Sequence, residues 1–223
     1  MFLLMIGKSI NQMLRFALIT LFLSVLCCEK EYPEVESTDL IQYTILKGQK
    51  DFKPSPFPEL FLGRGDSRFG GAAFFDNSCI YDWGADRDQK DYNKLAGVSL
   101  RLAAPKNHSA VMVAWRPLLA TNQIEVAPYF NYETGKIFIG QTTLKLNPNQ
   151  KFSFHISQKG KTWSVVLFNE DTQDLVTASY TYNFISKQQW SIDPWFGGEN
   201  NELGDYGGTA SQDMTLWLGF ERK

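Results

Sequence analysis

Residues 152–156 alternate strictly, with Phe152, Phe154 and Ile156 on one side and Ser153 and His155 on the other. A period of two is the mark of a half-buried strand. After Gln158-Lys159-Gly160-Lys161, residues 163–168 resume the apolar pattern, so the two segments predict a hairpin turning at Gly160. Residues 169–173 read as the next turn and 175–182 as the next strand. The same reading predicts strands at 40–46, 68–75, 97–103, 110–115, 123–132, 136–144 and 214–220. Residues 90–94 alone suggest a turn or two of helix. Some ten short strands, with no dividing linker and no internal repeat, predict one antiparallel, all-β sandwich. Residues 191–211 break this rhythm with a long glycine-rich loop. A loop of that length is usually functional, and Trp195 and Phe196 within it should be packed or should bind.

The first thirty residues follow another pattern. Residues 16–27 are an apolar run preceded by Arg15. The run is shorter than the roughly 20 apolar residues a spanning helix needs. A cation followed by about 7–15 apolar residues has the form of a secretory signal. Met13 is an alternative start to Met1, because Met13-Leu14-Arg15 gives a more compact charged region. The run ends in Val25-Leu26-Cys27-Cys28, which resembles a lipobox, the processing site of bacterial lipoproteins. Such sites carry a small residue before the modified cysteine and an aliphatic one three before. Cys28 meets both conditions through Cys27 and Val25, whereas bulky Leu26 stands before Cys27. The resemblance implies a signal peptide over residues 1–27 and lipid on Cys28; a cleaved signal with incidental cysteines is the plainer alternative. Residues 28–39 include Glu29, Glu31, Glu34, Glu36 and Pro33, and read as a solvated tether. They resemble the acidic export signal of some Gram-negative lipoproteins. That implies an outer-membrane lipoprotein facing the cell surface rather than the periplasm, touching the membrane through its lipid alone.

Charge and cysteine usage narrow the picture. The formal net charge is −2, and removing residues 1–27 takes Lys8 and Arg15 but no acid, leaving −4. A mildly acidic domain has no electrostatic drive toward nucleic acid. About 195 residues remain, enough for one sizeable core over residues 40–223. With Cys28 acylated, Cys79 is the remaining thiol, so the domain has no intrachain disulfide and must hold by packing. Cys79 reads as a small buried apolar residue.

Several blocks carry a family likeness: residues 77–82, 91–99, 107–116, 124–129, 194–198 and Asp213-Met214-Thr215-Leu216. In this order they resemble a family of uncharacterised lipoproteins of Gram-negative bacteria. The resemblance implies a jelly roll like that of concanavalin-type lectins and glucanases, a shape widely used for glycans, and implies no activity. Related sequences are richer in histidine where this chain has residues 104–108 and 210–213.

A concave jelly-roll sheet binds sugars by stacking them on aromatic faces while polar groups hold hydroxyls. Trp115, Arg116, Glu125, Tyr129, Tyr132, Trp195 and Phe196 supply such groups. The plainer reading makes Trp115 and Tyr129 core and Arg116 with Glu125 a structural ion pair. Hydrolysis needs two carboxylates about 5–10 Å apart, and the Glu-x-Asp-x-x-Glu strand of jelly-roll glucanases is absent. The Gln-x-His and Tyr-x-Lys-x-Gly patterns of jelly-roll lyases are absent too. No catalytic residue is therefore assigned. Carbohydrate binding without catalysis leads, with a polysaccharide-degrading enzyme and an adhesive surface protein as alternatives. Asp82, Asp86, Asp88 and Asp91 form an acidic loop able to offer oxygens to Ca²⁺, although Arg87 and Lys90 interrupt it and an Asp-rich turn needs no metal. No other cofactor is expected. Arg64-Gly65-Asp66 matches the triplet read by integrins, in a turn where Gly and Asp are ordinary.

Overall fold

Alternation along the chain resolves into two antiparallel sheets. The structure is a computed structural model and describes residues 39–54, 60–61 (backbone alone), 68–82, 90–100, 109–132, 134, 137–186, 189–197 and 209–221. The expected signal, the expected lipidation site Cys28 and nearly all of the expected tether lie outside the described residues, as do Asp86, Asp88, the Arg64-Gly65-Asp66 triplet, His108 and residues 198–208 of the late loop. The strands are β1 (Ile41–Ile45), β2 (Leu60–Phe61), β3 (Arg68–Phe75), β4 (Asn93–Ser99), β5 (Ala110–Leu118), β6 (Gln123–Asn131) and β7 (Ile137–Ile139). They continue as β8 (Leu144–Leu146), β9 (Phe152–Lys159), β10 (Thr162–Asn169), β11 (Asp174–Thr181), β12 (Gln189–Ile192) and β13 (Met214–Phe220). The first sheet runs β1-β13-β3-β9-β10-β11; the second runs β2-β12-β4-β5-β6-β7, with β8 also on β6. The fold is a jelly-roll β-sandwich. Among the described residues no helix is long and apolar enough to cross a membrane.

The core lies between the sheets. Val111, Val113 and Trp115 of β5 and Ile124, Val126 and Phe130 of β6 face Phe75, Phe152, Phe154, Val165 and Leu167 of the first sheet. Phe75 meets Trp115 across the gap with ring centroids 4.9 Å apart. Burying each such side chain contributes about 1.5–3 kcal/mol. A second, smaller cluster covers the opposite face of the second sheet: Tyr92, Ala110, Met112, Ala114, Ala127, Tyr129 and Ile192, with Ile137 and Ile139 packed against it.

Strands form where predicted over 68–75 and 214–220, and the hairpin turns at Gly160, whose φ is 62°. Lys159 and Thr162 pair across two turn residues, so a positive φ at the first of them fits a type II′ turn. Three expectations are corrected. The helical turn expected at 90–94 is confined, among the described residues, to Lys90 and then gives way to β4, whose Asn93 and Lys94 pair with Trp115 and Ala114. Lys94 also exchanges both backbone bonds with Trp195, at 2.9 Å each. Pairing with distant segments outweighs local preference here. The strand expected at 97–103 therefore begins at Asn93 and ends at Ser99. A register shift between Lys94 and Ala96 turns both Leu95 and Ala96 inward, which obscures the alternation. The strand expected at 136–144 is two, β7 and β8. Between them Gly140 donates to the Pro128 carbonyl, while Pro128 has no N–H to return.

Candidate functional site

Adjacent residues of a strand face opposite ways, so the residues opposite the core side of β5 and β6 build the outer surface of the second sheet. On β5 this places Arg116 outward, and its cross-strand partner on β6 is Glu125. Tyr92, just before β4, and Lys94 within it reach the same surface. With Lys90, Asp91, Tyr129, Ile137 and Ile139 they line a groove of about 320 Å³.

Glu125 is the fixed point of the polar end. Its Oε2 accepts from Arg116 Nε at 2.6 Å and from the Tyr92 hydroxyl at 2.7 Å. Its Oε1 accepts from Thr143 Oγ1 at 2.8 Å. Burial pushes the Glu125 carboxyl up, but the Tyr92, Thr143 and Arg116 hydrogen bonds, with the guanidinium charge, outweigh it and hold the group below its ordinary value. Burial, then the bond to Glu125, raises the Tyr92 phenol well above its own. At neutral pH the pair is a carboxylate and a phenol. The Arg116 guanidinium lies 4.5 Å from the centre of the Tyr92 ring and donates through Nη1 to the Lys90 carbonyl at 2.8 Å. Lys94 Nζ donates to the Tyr92 carbonyl at 2.7 Å and the Gly197 carbonyl at 3.4 Å, 4.8 Å from the Tyr129 ring centre and 5.7 Å from that of Trp195.

The structure divides the seven candidate sugar-binding residues. Arg116, Glu125 and Tyr129 come together at the groove, and Trp195, half-buried, flanks it through Lys94. Trp115 and Phe196 do not join them: both are fully buried between the sheets, Phe196 edge-on to Tyr81 at 5.1 Å. Neither can stack on a ligand from the core. Tyr132 lies one residue past β6 and stacks on Tyr180 of the first sheet at 4.4 Å, away from the groove. Sequence reasoning missed Tyr92 and Lys94. Two residues apart, they share a side only in extended backbone, and the helical reading of 90–94 hid this. Of the proposed calcium ligands, Asp82 is exposed and Asp91 lines the groove. Among the described residues no group of three or more His, Cys, Asp or Glu is placed to hold a metal ion.

No family model and no curated protein matches the sequence. Solved structures do. An exolytic alginate lyase of Zobellia galactanivorans superposes with a TM-score of 0.49 at 6% identity, covering 84% of this chain and 86% of its own. An alginate lyase of Klebsiella pneumoniae gives 0.44 at 12% identity, over 70% of this chain and 58% of the enzyme. A carbohydrate-binding module of the evolved Dit protein of Lactobacillus casei BL23 phage J-1 gives 0.44 at 10%, over 84% and 82%. Likeness at this level concerns strand arrangement and assigns neither ligand nor activity.

Proposed function

We propose that this β-sandwich binds carbohydrate in the groove on the outer face of its second sheet, and that the chain is a lipoprotein of the outer membrane, anchored through Cys28 and facing the cell surface. The groove carries the sugar reading. Two half-buried isoleucines, Ile137 and Ile139, border it beside fixed donors and acceptors, while the Tyr92 and Tyr129 rings lie buried beneath Arg116 and Lys94. Sugars present C–H faces to apolar surface and hydroxyls to polar groups, and the two isoleucines beside Arg116 and Lys90 offer both. Its volume falls within the range of about 300–1,000 Å³ common to small-molecule sites.

Glu125 is held ionised and Tyr92 protonated, so the polar end offers a fixed acceptor and a fixed phenol at neutral pH. Lipid anchoring rests on the sequence of residues 25–28 and on the acidic tether that follows.

A glycan array tests the sugar reading. Ile139→Trp fills the groove from its edge strand and should abolish binding while leaving thermal stability near that of the parent. Trp217→Ala is the control: Trp217 stacks on Phe74 at 4.5 Å on the outer face of the first sheet, and its loss should leave binding intact. Binding that survives Ile139→Trp and disappears with Trp217→Ala would move the ligand to the other sheet and end the proposal. Reducing-end or unsaturated products from a bound glycan would replace binding with catalysis.

A further inference from the structure

The polar end of the groove is built around cations. Lys90, Lys94 and Arg116 border it, together with Asp91. Glu125 stays ionised and offsets Arg116, and Arg116, Tyr92 and Thr143 occupy its two oxygens, so the five charged groups sum to one formal positive charge.

Arg116 is not consumed in the same way. Its Nε goes to Glu125 and its Nη1 to the Lys90 carbonyl, while Nη2 has no hydrogen-bond partner among the described residues. The side chain keeps 27% of its surface exposed where it lines the groove. A guanidinium is a planar fork of donors that matches the paired oxygens of a carboxylate or a sulfate. Here the fork is pinned on one edge by Glu125 and on its face by Tyr92. Fixing the donors in advance removes part of the entropy cost of ordering them around a ligand. Lys94 is fixed too, by two carbonyls and the Tyr129 ring, and its ammonium adds a second positive charge beside Tyr92. Charges held in a half-buried groove act more strongly than the same charges on an open surface.

We infer that the groove takes an acidic glycan, one whose sugars carry a carboxylate or a sulfate ester, with Arg116 gripping the anionic group and Lys94 reinforcing the field. This rests on the proposal that the groove binds sugar, and the experiment lets the two fail separately. Calorimetric titration compares a uronate oligosaccharide with its carboxyl-reduced counterpart, and a sulfated oligosaccharide with its desulfated counterpart. At least one charged member should bind about tenfold or more tightly than its neutral partner. That advantage should shrink as NaCl shortens the screening length to well under about 10 Å. The two pairs decide between carboxylate and sulfate. Arg116→Gln should erase the preference, and Arg116→Lys should keep part of it. Should Arg116→Gln fail to fold, with Glu125 left without its ion pair, the salt series on the parent protein still decides. Neutral members binding as tightly as charged ones, or a preference indifferent to salt, overturns the acidic ligand and leaves the sugar site standing. No binding by any of the four, with an empty array, overturns both.

Discussion

A carboxylate set into a sheet surface is costly unless its oxygens are taken, and Glu125 meets that condition with three donors. The arrangement has a pH signature. The folded value lies below the ordinary 4.5, so the folded state gives up this proton more readily than the unfolded chain does. The stabilisation is then complete above the unfolded value and is lost as pH falls through the folded one. Urea titrations should show stability declining from about pH 4.5 downward. In Glu125→Gln that part of the decline should vanish, and stability at neutral pH should drop by about 1–3 kcal/mol as Arg116 loses its partner. An acid limb of equal slope in both proteins would assign the effect to other carboxyls. Part of this scale was legible in the sequence. Trp115 beside Arg116, and Tyr129 three residues before Tyr132, fall on opposite sides of their strands by alternation alone. What alternation could not say was which side met the other sheet.

At the scale of elements, the groove floor depends on how closely β4 approaches β5. Gly97 pairs with Met112, and a methyl group added there would sit 2.4 Å from the Val111 carbonyl oxygen and 2.7 Å from Met112 Cγ. The obstacle includes backbone, so the strands themselves would have to part. Gly97→Ala should cost about 1–3 kcal/mol by overpacking and weaken glycan binding as Lys94 shifts. Thermal melts and titration check this, and a melt equal to that of the parent would mean that the two strands separate without cost. Elements set by local chemistry were legible: the Gly160 turn and the β9–β10–β11 meander follow from alternation and turn residues. Elements set by distant partners were not. β2 has two residues and β12 four, and both exist because β12 lies between β2 and β4. The split between β7 and β8 follows from Pro128 on the neighbouring strand, a cause invisible in residues 136–144 themselves.

At the scale of the molecule, the proposed anchor has its own test. Cells fed an alkyne fatty acid should label the parent and a Cys27→Ser chain, and should leave Cys28→Ala unlabelled. Label retained in Cys28→Ala would dismiss the anchor. The sheet order also bears on how such a chain is assembled. β13 lies between β1 and β3, setting residues 214–220 against two strands that come more than a hundred residues earlier. Contacts so far apart in sequence form late, because a long loop must close before they give anything back. Residues 214–220 thus act as a keystone: the arch stays open until they arrive, however much of the span is already laid. Under the proposed export, a polypeptide threaded through a narrow pore would benefit from that delay, since the vault closes only once this stone is through.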